Sequence, residues 1–463
     1  MGALRELPAV HVLLGLPALA EAVSRRGRPA VLEAIRRTLD DARRRHRLGE
    51  AVDVRAEAMA AGVLAALGRD RPALRPVINA TGVLLHTGLG RSPLAAEAIT
   101  AVAEVARGYC SLELDLESGT RGRRADGVAA LLRRLTGAPA AAVVNNNAAA
   151  TVLALRALAA GREVIVSRGQ LVEIGGSFRL PEIMEVSGAR LREVGTTNRT
   201  RLADYERAIG PETAALLRIH PSNYRIVGFT EEVGIAELAA LGKARGLWTI
   251  DDIGSGALAP GVPPAVGGEP TAAEGLAAGA DVVLFSGDKL LGGPQCGILL
   301  GAEPAIARLA ADPLMRALRV DKLTLAALEA TLRLAMDPPR GARGIPLWSR
   351  LAVPAGELEV RAGALAGALS RAGFAAEVVA TTGAVGGGSA PVVPVASWAV
   401  RLAPPYPGGL ADEGALAAAL RGGEPAVLAR VQGGAVLLDL RAVAPDELPA
   451  LERALQVAGG GAG

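Results

Sequence analysis

Lysine is scarce in this chain: of 50 basic residues only three are lysines, Lys243, Lys289 and Lys322. Arginine supplies a generic positive charge as well as lysine does. A lysine that persists therefore points to chemistry that a guanidinium cannot perform. Schiff-base formation is such chemistry, because it needs a primary amine whose pKa can be lowered. Lys243 lies in Ala236–Arg245, which reads as an exposed helix face. Lys289 lies in Val282–Gly297, Val-Val-Leu-Phe-Ser-Gly-Asp-Lys-Leu-Leu-Gly-Gly-Pro-Gln-Cys-Gly, in a strand-to-loop turn whose small neighbours would let a flat cofactor approach. Ser286-x-x-Lys289 also matches acyl-transfer enzymes with a serine nucleophile, but their Lys-Thr-Gly and Ser-Asp-Asn companions are missing.

Two more polar clusters fall at the ends of predicted strands. Asn145-Asn146-Asn147-Ala148 precedes a run of good helix formers and holds three of the chain's six asparagines. Backbone N–H groups at such a helix start suit a phosphate; simple capping by the asparagines is the alternative. Trp248–Gly256, Trp-Thr-Ile-Asp-Asp-Ile-Gly-Ser-Gly, puts two carboxylates at the end of a buried strand. A buried carboxylate needs a cationic or hydrogen-bonding partner. A protonated pyridine nitrogen would serve, and a metal is the competing partner, although no further ligands are apparent. The nucleotide fingerprints fail: Ala244 follows Gly242-Lys243, and Arg91-Ser92-Pro93 follows Gly88-Leu89-Gly90.

These clusters must be held by a sizeable fold. The 463 residues are 50% hydrophobic and 21% charged, with a net charge of +3. That excludes disorder and leaves room for two or three domains of roughly 100–200 residues each. Two cysteines, Cys110 and Cys296, exclude a disulfide scaffold and fit a reducing cytoplasm. The scattered His11, His46, His86 and His220 give no zinc-site spacing. No apolar run reaches the ~18 residues of a membrane span. Pro8–Ala20 contains two prolines, a histidine and a glycine behind an uncharged Arg5-Glu6 pair, so no signal peptide is expected. Glu6 also stands where a myristoylation signal needs Ser or Thr.

Residues 1–75 read as helical and basic, with 14 arginines against 9 acids, a net of +5. The remaining residues hold 36 bases and 38 acids, a net of −2. A solvated helix face or a polyanionic partner would each account for this. From Pro76 to about Leu334, strands alternate with helices. The predicted strands are 140–144, 163–167, 192–194, 214–219, 247–250, 282–285 and 297–300; helices include 127–135, 148–160 and 235–245. Continuous apolar strands in such alternation predict a three-layer α/β domain around a parallel sheet. Pro338–Gly344 reads as a linker. A smaller α+β domain follows, with helices at 353–374 and 412–420 and strands at 376–380 and 395–402. A hairpin is expected there from strands 427–431 and 435–439. The boundaries are thus 1–75, 76–337 and 338–463, and the tail Gly459–Gly463 is expected to fray.

In order, Asn145–Ala148, Asn223, Asp252 and Lys289, with the last three spaced by 29 and 37 residues, resemble the aspartate-aminotransferase fold type (fold type I) of pyridoxal-phosphate enzymes. The match is closer than that. Ile78–Arg91, Ser167–Phe178, Gly195–Arg199, Ser222–Arg225 and Ser286–Pro294 resemble bacterial selenocysteine synthase, L-seryl-tRNA selenium transferase, and the likeness runs from about Leu7 to Trp398. Gly88 stands where that family has Asn, and Gln170 where Glu is common. The resemblance implies a pyridoxal-phosphate β-replacement that turns seryl-tRNA(Sec) into selenocysteinyl-tRNA(Sec) through an aminoacrylyl-tRNA, with selenophosphate as donor. It implies that Lys289 carries the cofactor and acts as base, with Asp288 in catalysis. Asp252, Asn223, Asn145, Asn146, Asn147, Ala148 and Ser286 would hold the cofactor. Arg91, Arg316 and Arg319 would bind selenophosphate, the last two sharing a helix face. Arg25, Arg26, Arg28, Arg43, Arg44 and Arg45 are the expected tRNA contacts, with Arg36 and Arg37 ranked lower because Asp40 and Asp41 lie within a helical turn. The family forms a ring of five dimers. A pyridoxal-phosphate lyase for a small amino acid or amino-sugar acid is the alternative enzyme. The basic segment disfavours it, and retention of Asn223, Asp252 and Lys289 disfavours a non-catalytic RNA binder.

Overall fold

The computed structural model describes residues 7–69, 72–171, 173–174, 178–261 and 268–460. The Arg5-Glu6 pair, residues 172 and 175–177 of the family-like stretch, and the last three residues of the tail lie outside the described residues. The chain divides into two compact units, Met1–Pro76 and Val77–Gly463.

The first unit is helical: Val10–Leu14, Pro17–Arg26, Arg28–Arg47 and Ala56–Arg69. Val31, Ile35 and Leu39 recur at helical spacing and meet Leu13, Leu19, Met59 and Val63 in a core of its own. The arginines of the long helix are all exposed.

The second unit holds fourteen strands among the described residues. They are β1 (Val77–Ala80), β2 (Ala140–Val144), β3 (Glu163–Ser167), β4 (Glu173–Ile174), β5 (Phe178–Arg179), β6 (Arg190–Val194), β7 (Thr213–Ile219), β8 (Trp248–Gly254), β9 (Val282–Ser286), β10 (Gly297–Gly301), β11 (Ala375–Gly386), β12 (Ser389–Ala403), β13 (Ala426–Gln432) and β14 (Ala435–Asp439). A seven-stranded sheet runs β2-β10-β9-β8-β7-β3-β6. Its strand residues alternate between two cores. Val143, Ile298, Val283 and Phe285 face helices Asp126–Thr136 and Lys322–Ala335. Val144, Leu299, Leu284 and Ile250 face helices Asn147–Ala159 and Glu303–Ala311. Both faces are covered, which is why these strands read as unbroken apolar runs. The expected parallel sheet has one exception: β10 is antiparallel to both neighbours. It returns directly from β9 across a short loop, and no crossover helix intervenes to make the pair parallel.

A five-stranded sheet runs β1-β13-β14-β12-β11. Its core joins Leu358, Leu365 and Leu369 of helix Ala355–Arg371 to Val400, Val427 and Val436. β1 pairs in parallel with β13 although roughly 350 residues separate them along the chain. The expected linker at 338–344 is instead a helix, Pro338–Gly344. Asp337 caps it by accepting from Arg340 N, and Pro sits in its first turn, where the missing N–H costs nothing. The β11–β12 hairpin is also far longer than 376–380 and 395–402. In this sheet the Asp439 carboxylate is fully buried and accepts from Ser397 Oγ at 2.6 Å, Arg430 Nη2 at 2.9 Å and Arg441 N at 3.0 Å. Asp439→Ala should cost about 3–5 kcal/mol in denaturant unfolding, because Arg430 loses its buried counter-charge.

Candidate functional site

Lys289 lies in the loop that joins β9 to β10. Trp348 Nε1 donates to Leu290 O at 2.8 Å, and Leu290 N donates to Ser255 O at 2.9 Å, so the loop is pinned from two sides. Gly256 has φ +86°, and a Cβ there would stand 2.4 Å from Ser286 O; the Asp252-Ile-Gly-Ser-Gly turn packs against β9 only because it carries glycine. Lys289 is 5% exposed, whereas Lys243 is exposed and Lys322 Nζ donates to Gly108 O at 2.9 Å. No hydrogen bond from the Lys289 amine is made among the described residues. Burial lowers its ammonium pKa, and the positive charge of Arg91 lowers it further; Asp252, Asp288 and Glu269 oppose the shift.

A cavity of about 370 Å³ opens at this lysine, lined by Asp252, Asp288, Arg91, Asn147, Ala148 and His220 among others. Asp252 is buried on the face of β8 that meets helix Asn147–Ala159. It accepts from Asn147 Nδ2 at 3.0 Å, Thr151 Oγ1 at 3.2 Å and Gly254 N at 3.0 Å. Burial pushes its carboxyl up to about 6, despite Asn147, the Lys289 charge, Thr151 and Gly254. Asp251 points to the other face, as strand alternation requires. There Arg218 Nη1 donates to its Oδ1 at 2.9 Å, so it is a structural ion pair across β7 and β8. In the same cavity, Arg91 Nη1 donates to Asp288 Oδ2 at 2.7 Å, and Asp288 Oδ1 is buried with no partner among the described residues.

The three asparagines divide their work. Asn146 caps the helix by accepting from Ala149 N at 2.8 Å, Asn147 turns inward to Asp252, and Asn145 is exposed. The N–H groups of Asn147 and Ala148 have no acceptor among the described residues, leaving an anion-binding helix start at the cavity. Ser286 lines the same cavity. Asn223 is exposed and donates to Glu173 O at 2.9 Å, outside the cavity lining. Sequence reasoning missed Thr151 and His220. The first is a mid-helix Thr one turn after Asn147, and that spacing on the inward helix face was the available signal. His220 follows β7 directly, but nothing local marked it.

The family model described as L-seryl-tRNA selenium transferase matches residues 77–444, and that described as selenocysteine synthase N terminal matches residues 4–43. The chain belongs to the L-seryl-tRNA selenium transferase family. A curated relative of that name from Moorella thermoacetica is 50% identical over 98% of this chain and 96% of its own. Another, from Solidesulfovibrio magneticus, is 53% identical over 82% of this chain and 81% of its own. Among solved structures, D-glucosaminate-6-phosphate ammonia-lyase matches with a TM-score of 0.58 at 24% identity, over 84% of this chain and 96% of that one. That likeness establishes a shared fold, and the three-layer α/β architecture expected of a fold type I enzyme is the one observed.

Two expectations for this selenium transferase family member need correction. Arg316 and Arg319 do not share a helix face. Helix Pro313–Leu318 ends before Arg319, whose backbone is extended and bridges to Val144. Both arginines line a separate cavity of about 640 Å³, with Arg123, Arg124 and Arg133, while Arg91 lines the lysine cavity. The ranking of the N-terminal arginines also changes. Asp40 and Asp41 pair with Arg43 and Arg44, Glu21 with Arg25, and Glu50 with Arg45. Arg36 is exposed and has no ion pair among the described residues, so it joins Arg28 as a free charge. Exposed helix pairs are worth only about 0.3–0.5 kcal/mol, so Arg25, Arg43, Arg44 and Arg45 remain recruitable by a phosphate.

Among the described residues, no cluster of His, Cys, Asp or Glu could hold a metal ion, and no helix is long and apolar enough to cross a membrane.

Proposed function

We propose that this protein converts seryl-tRNA(Sec) to selenocysteinyl-tRNA(Sec), replacing the β-hydroxyl of the tRNA-bound serine with selenium from selenophosphate and using pyridoxal 5′-phosphate as cofactor. One observation carries this most directly: a buried lysine whose ammonium form is disfavoured shares a cavity with a buried carboxylate that has no cation hydrogen-bonded to it. The residues present fit the cofactor. Asp252 would hold its ring nitrogen, the free N–H groups of Asn147 and Ala148 its phosphate, and Lys289 its carbonyl carbon, with Ser286 beside them and Asn146 capping the phosphate-binding helix start. Asn145 and Asn223 stay assigned to cofactor binding on the resemblance alone.

When bound, pyridoxal phosphate supplies an electron sink for the amino acid's α-carbon. The chain's own groups do the rest. Lys289, favoured as a neutral amine, takes the α-proton. Asn147 and Thr151 hold Asp252 where its carboxylate would pair with the cofactor's ring nitrogen. Arg91 fixes Asp288 through Oδ2, which leaves Oδ1 to relay the proton taken by Lys289 to the departing hydroxyl. Arg91 also stands ready for the donor's oxyanion. Arg316 and Arg319 are assigned to the same donor by way of the second cavity, whose arginines suit multidentate oxyanion contacts.

In this reading residues 76–337 carry the cofactor, 338–463 form the small domain and 1–75 grip the tRNA. The protein is cytoplasmic and assembles as the ring of five dimers that the resemblance implies. Purified protein should form selenocysteinyl-tRNA(Sec) from seryl-tRNA(Sec) and selenophosphate, and its cofactor spectrum should shift with seryl-tRNA but not with free serine. A shift with free serine alone would sink the tRNA-linked reading. Deleting residues 1–60 should abolish tRNA binding while leaving the cofactor on Lys289, because that segment carries the chain's whole net charge of +3 and the remainder is neutral. Binding by the intact chain should weaken steeply with salt as phosphates are neutralised. Truncated protein that bound seryl-tRNA with full affinity would refute the assignment.

A further inference from the structure

We propose that the turn Gly387-Gly388 at the tip of the β11–β12 hairpin forms one wall of the site that receives the amino-acid end of the substrate, and that Gly388 is a specificity-determining position keeping open the space beside the Lys289 amine. This rests on the reading above that an aminoacyl group is brought to Lys289. The ligand class is an α-amino acid with a short polar side chain, carried as an ester.

The hairpin closes with Gly386 opposite Ser389, and Gly386, Gly387 and Gly388 have φ of +78°, +64° and +73°. Positive φ at both central residues is what a tight two-residue hairpin turn demands. The tip is anchored at the site. Ala390 N donates to Glu269 Oε1 at 3.0 Å, and that oxygen lies 3.6 Å from Nε2 of His220, which lines the lysine cavity. Ser389, 1% exposed, has an Oγ with no partner among the described residues.

The glycines are not equivalent. A Cβ on Gly386 would stand 2.4 Å from Val83 Cγ1, and one on Gly387 would stand 2.9 Å from Leu85 Cβ; packing forbids both. A Cβ on Gly388 would meet Ser222 Oγ at 3.5 Å, Lys289 Nζ at 3.7 Å and Asn223 Cβ at 3.8 Å, all ordinary contact distances. Packing would therefore accept a side chain at 388. The left-handed backbone there is one that Asn adopts at modest cost. What a side chain would fill is the space against the amine, where the α-carbon must lie for Lys289 to take its proton.

The test uses the full-length, cofactor-loaded protein. Gly388→Ala and Gly388→Asn are compared with Gly434→Asn, which has a similar φ of +67° but nothing within 4 Å of its Cβ position. The readouts are kcat and KM with seryl-tRNA(Sec), and the rate of reaction with hydroxylamine, a small amine that needs little room. Both Gly388 variants should lose about tenfold or more in kcat/KM while reacting with hydroxylamine at close to the wild-type rate. Gly434→Asn should match wild type in both. Wild-type kcat/KM in Gly388→Asn would overturn the proposal. So would an equal loss in Gly434→Asn, which would assign the effect to backbone strain, or a parallel loss toward hydroxylamine, which would assign it to the cofactor pocket. Wild-type protein that reacts with hydroxylamine but never turns over seryl-tRNA would instead overturn the reading of function.

Discussion

Lys289→Arg should leave the protein folded and reduce turnover by about 10³-fold or more, because a guanidinium neither forms a covalent link to a carbonyl cofactor nor gives up a proton near neutral pH. The position magnifies the effect. The amine is buried, has no hydrogen bond among the described residues, and lies near the positive charge of Arg91, so its ammonium form is already disfavoured. Arginine would bring a permanent charge into the same place. Borohydride reduction followed by peptide mapping checks the assignment independently of activity. The pyridoxyl group should be found on Lys289. Lys243 is exposed on helix Ile235–Arg245 and Lys322 is tied to Gly108 O, and a label on either would refute the role given to Lys289. Lys289→Met, which removes a buried amine, should abolish turnover while raising the melting temperature of cofactor-free protein.

Asp252→Ala and Asp251→Ala should fail in opposite ways. Asp252 has neutral hydrogen-bond partners, and its carboxyl is raised to about 6, so burying its charge costs roughly 3 kcal/mol. The sign follows from that shift. The folded state holds this proton more tightly than the unfolded chain, so the group favours folding below about pH 4, and that advantage is lost as pH rises through about 6. Cofactor-free Asp252→Asn should therefore be more stable than wild type above pH 6, with the difference vanishing below pH 4. Cofactor affinity and turnover should fall sharply in Asp252→Ala, since no carboxylate remains to hold a ring cation. Asp251 is paired with Arg218 in the interior, and removing it should cost about 3–5 kcal/mol of stability while the folded fraction keeps its cofactor. Greater loss of turnover per folded molecule in Asp251→Ala than in Asp252→Ala would reverse the two roles.

Much of the frame was legible in the sequence. Strands 140–144 and 163–167 and helix 235–245 fall where the pattern places them, because apolar runs and helical spacing report local burial directly. The hairpin at 427–439 was readable from Gly433-Gly434, which can adopt the positive φ that its turn needs. Pro338–Gly344 was misread because Pro and Gly usually break helices, whereas here the prolines occupy the first turn and Asp337 caps it. The β11–β12 strands were cut short for a related reason: Gly386–Gly388, Pro391 and Pro394 look like a loop, yet the two strands pair with each other almost throughout.

By itself the sequence marked the residues proposed to carry chemistry: the rare lysine, the paired aspartates at a strand end, the asparagines before a helix, and the basic first segment. Those are properties of residue type and local order, and they survive without coordinates. Only the tertiary structure decided how these groups meet. It turned Asp252 toward Asn147 and Thr151 and Asp251 toward Arg218, ended the helix before Arg319, and left Arg316 and Arg319 at a different cavity from Arg91. It also carried Gly388, about a hundred residues away in the chain, to where an added Cβ would touch the Lys289 amine. The physical reason is range: periodicity and turn chemistry act over a few residues, whereas burial, ion pairing and the space beside an amine are set by strands and hairpins that meet only once the sheets are packed.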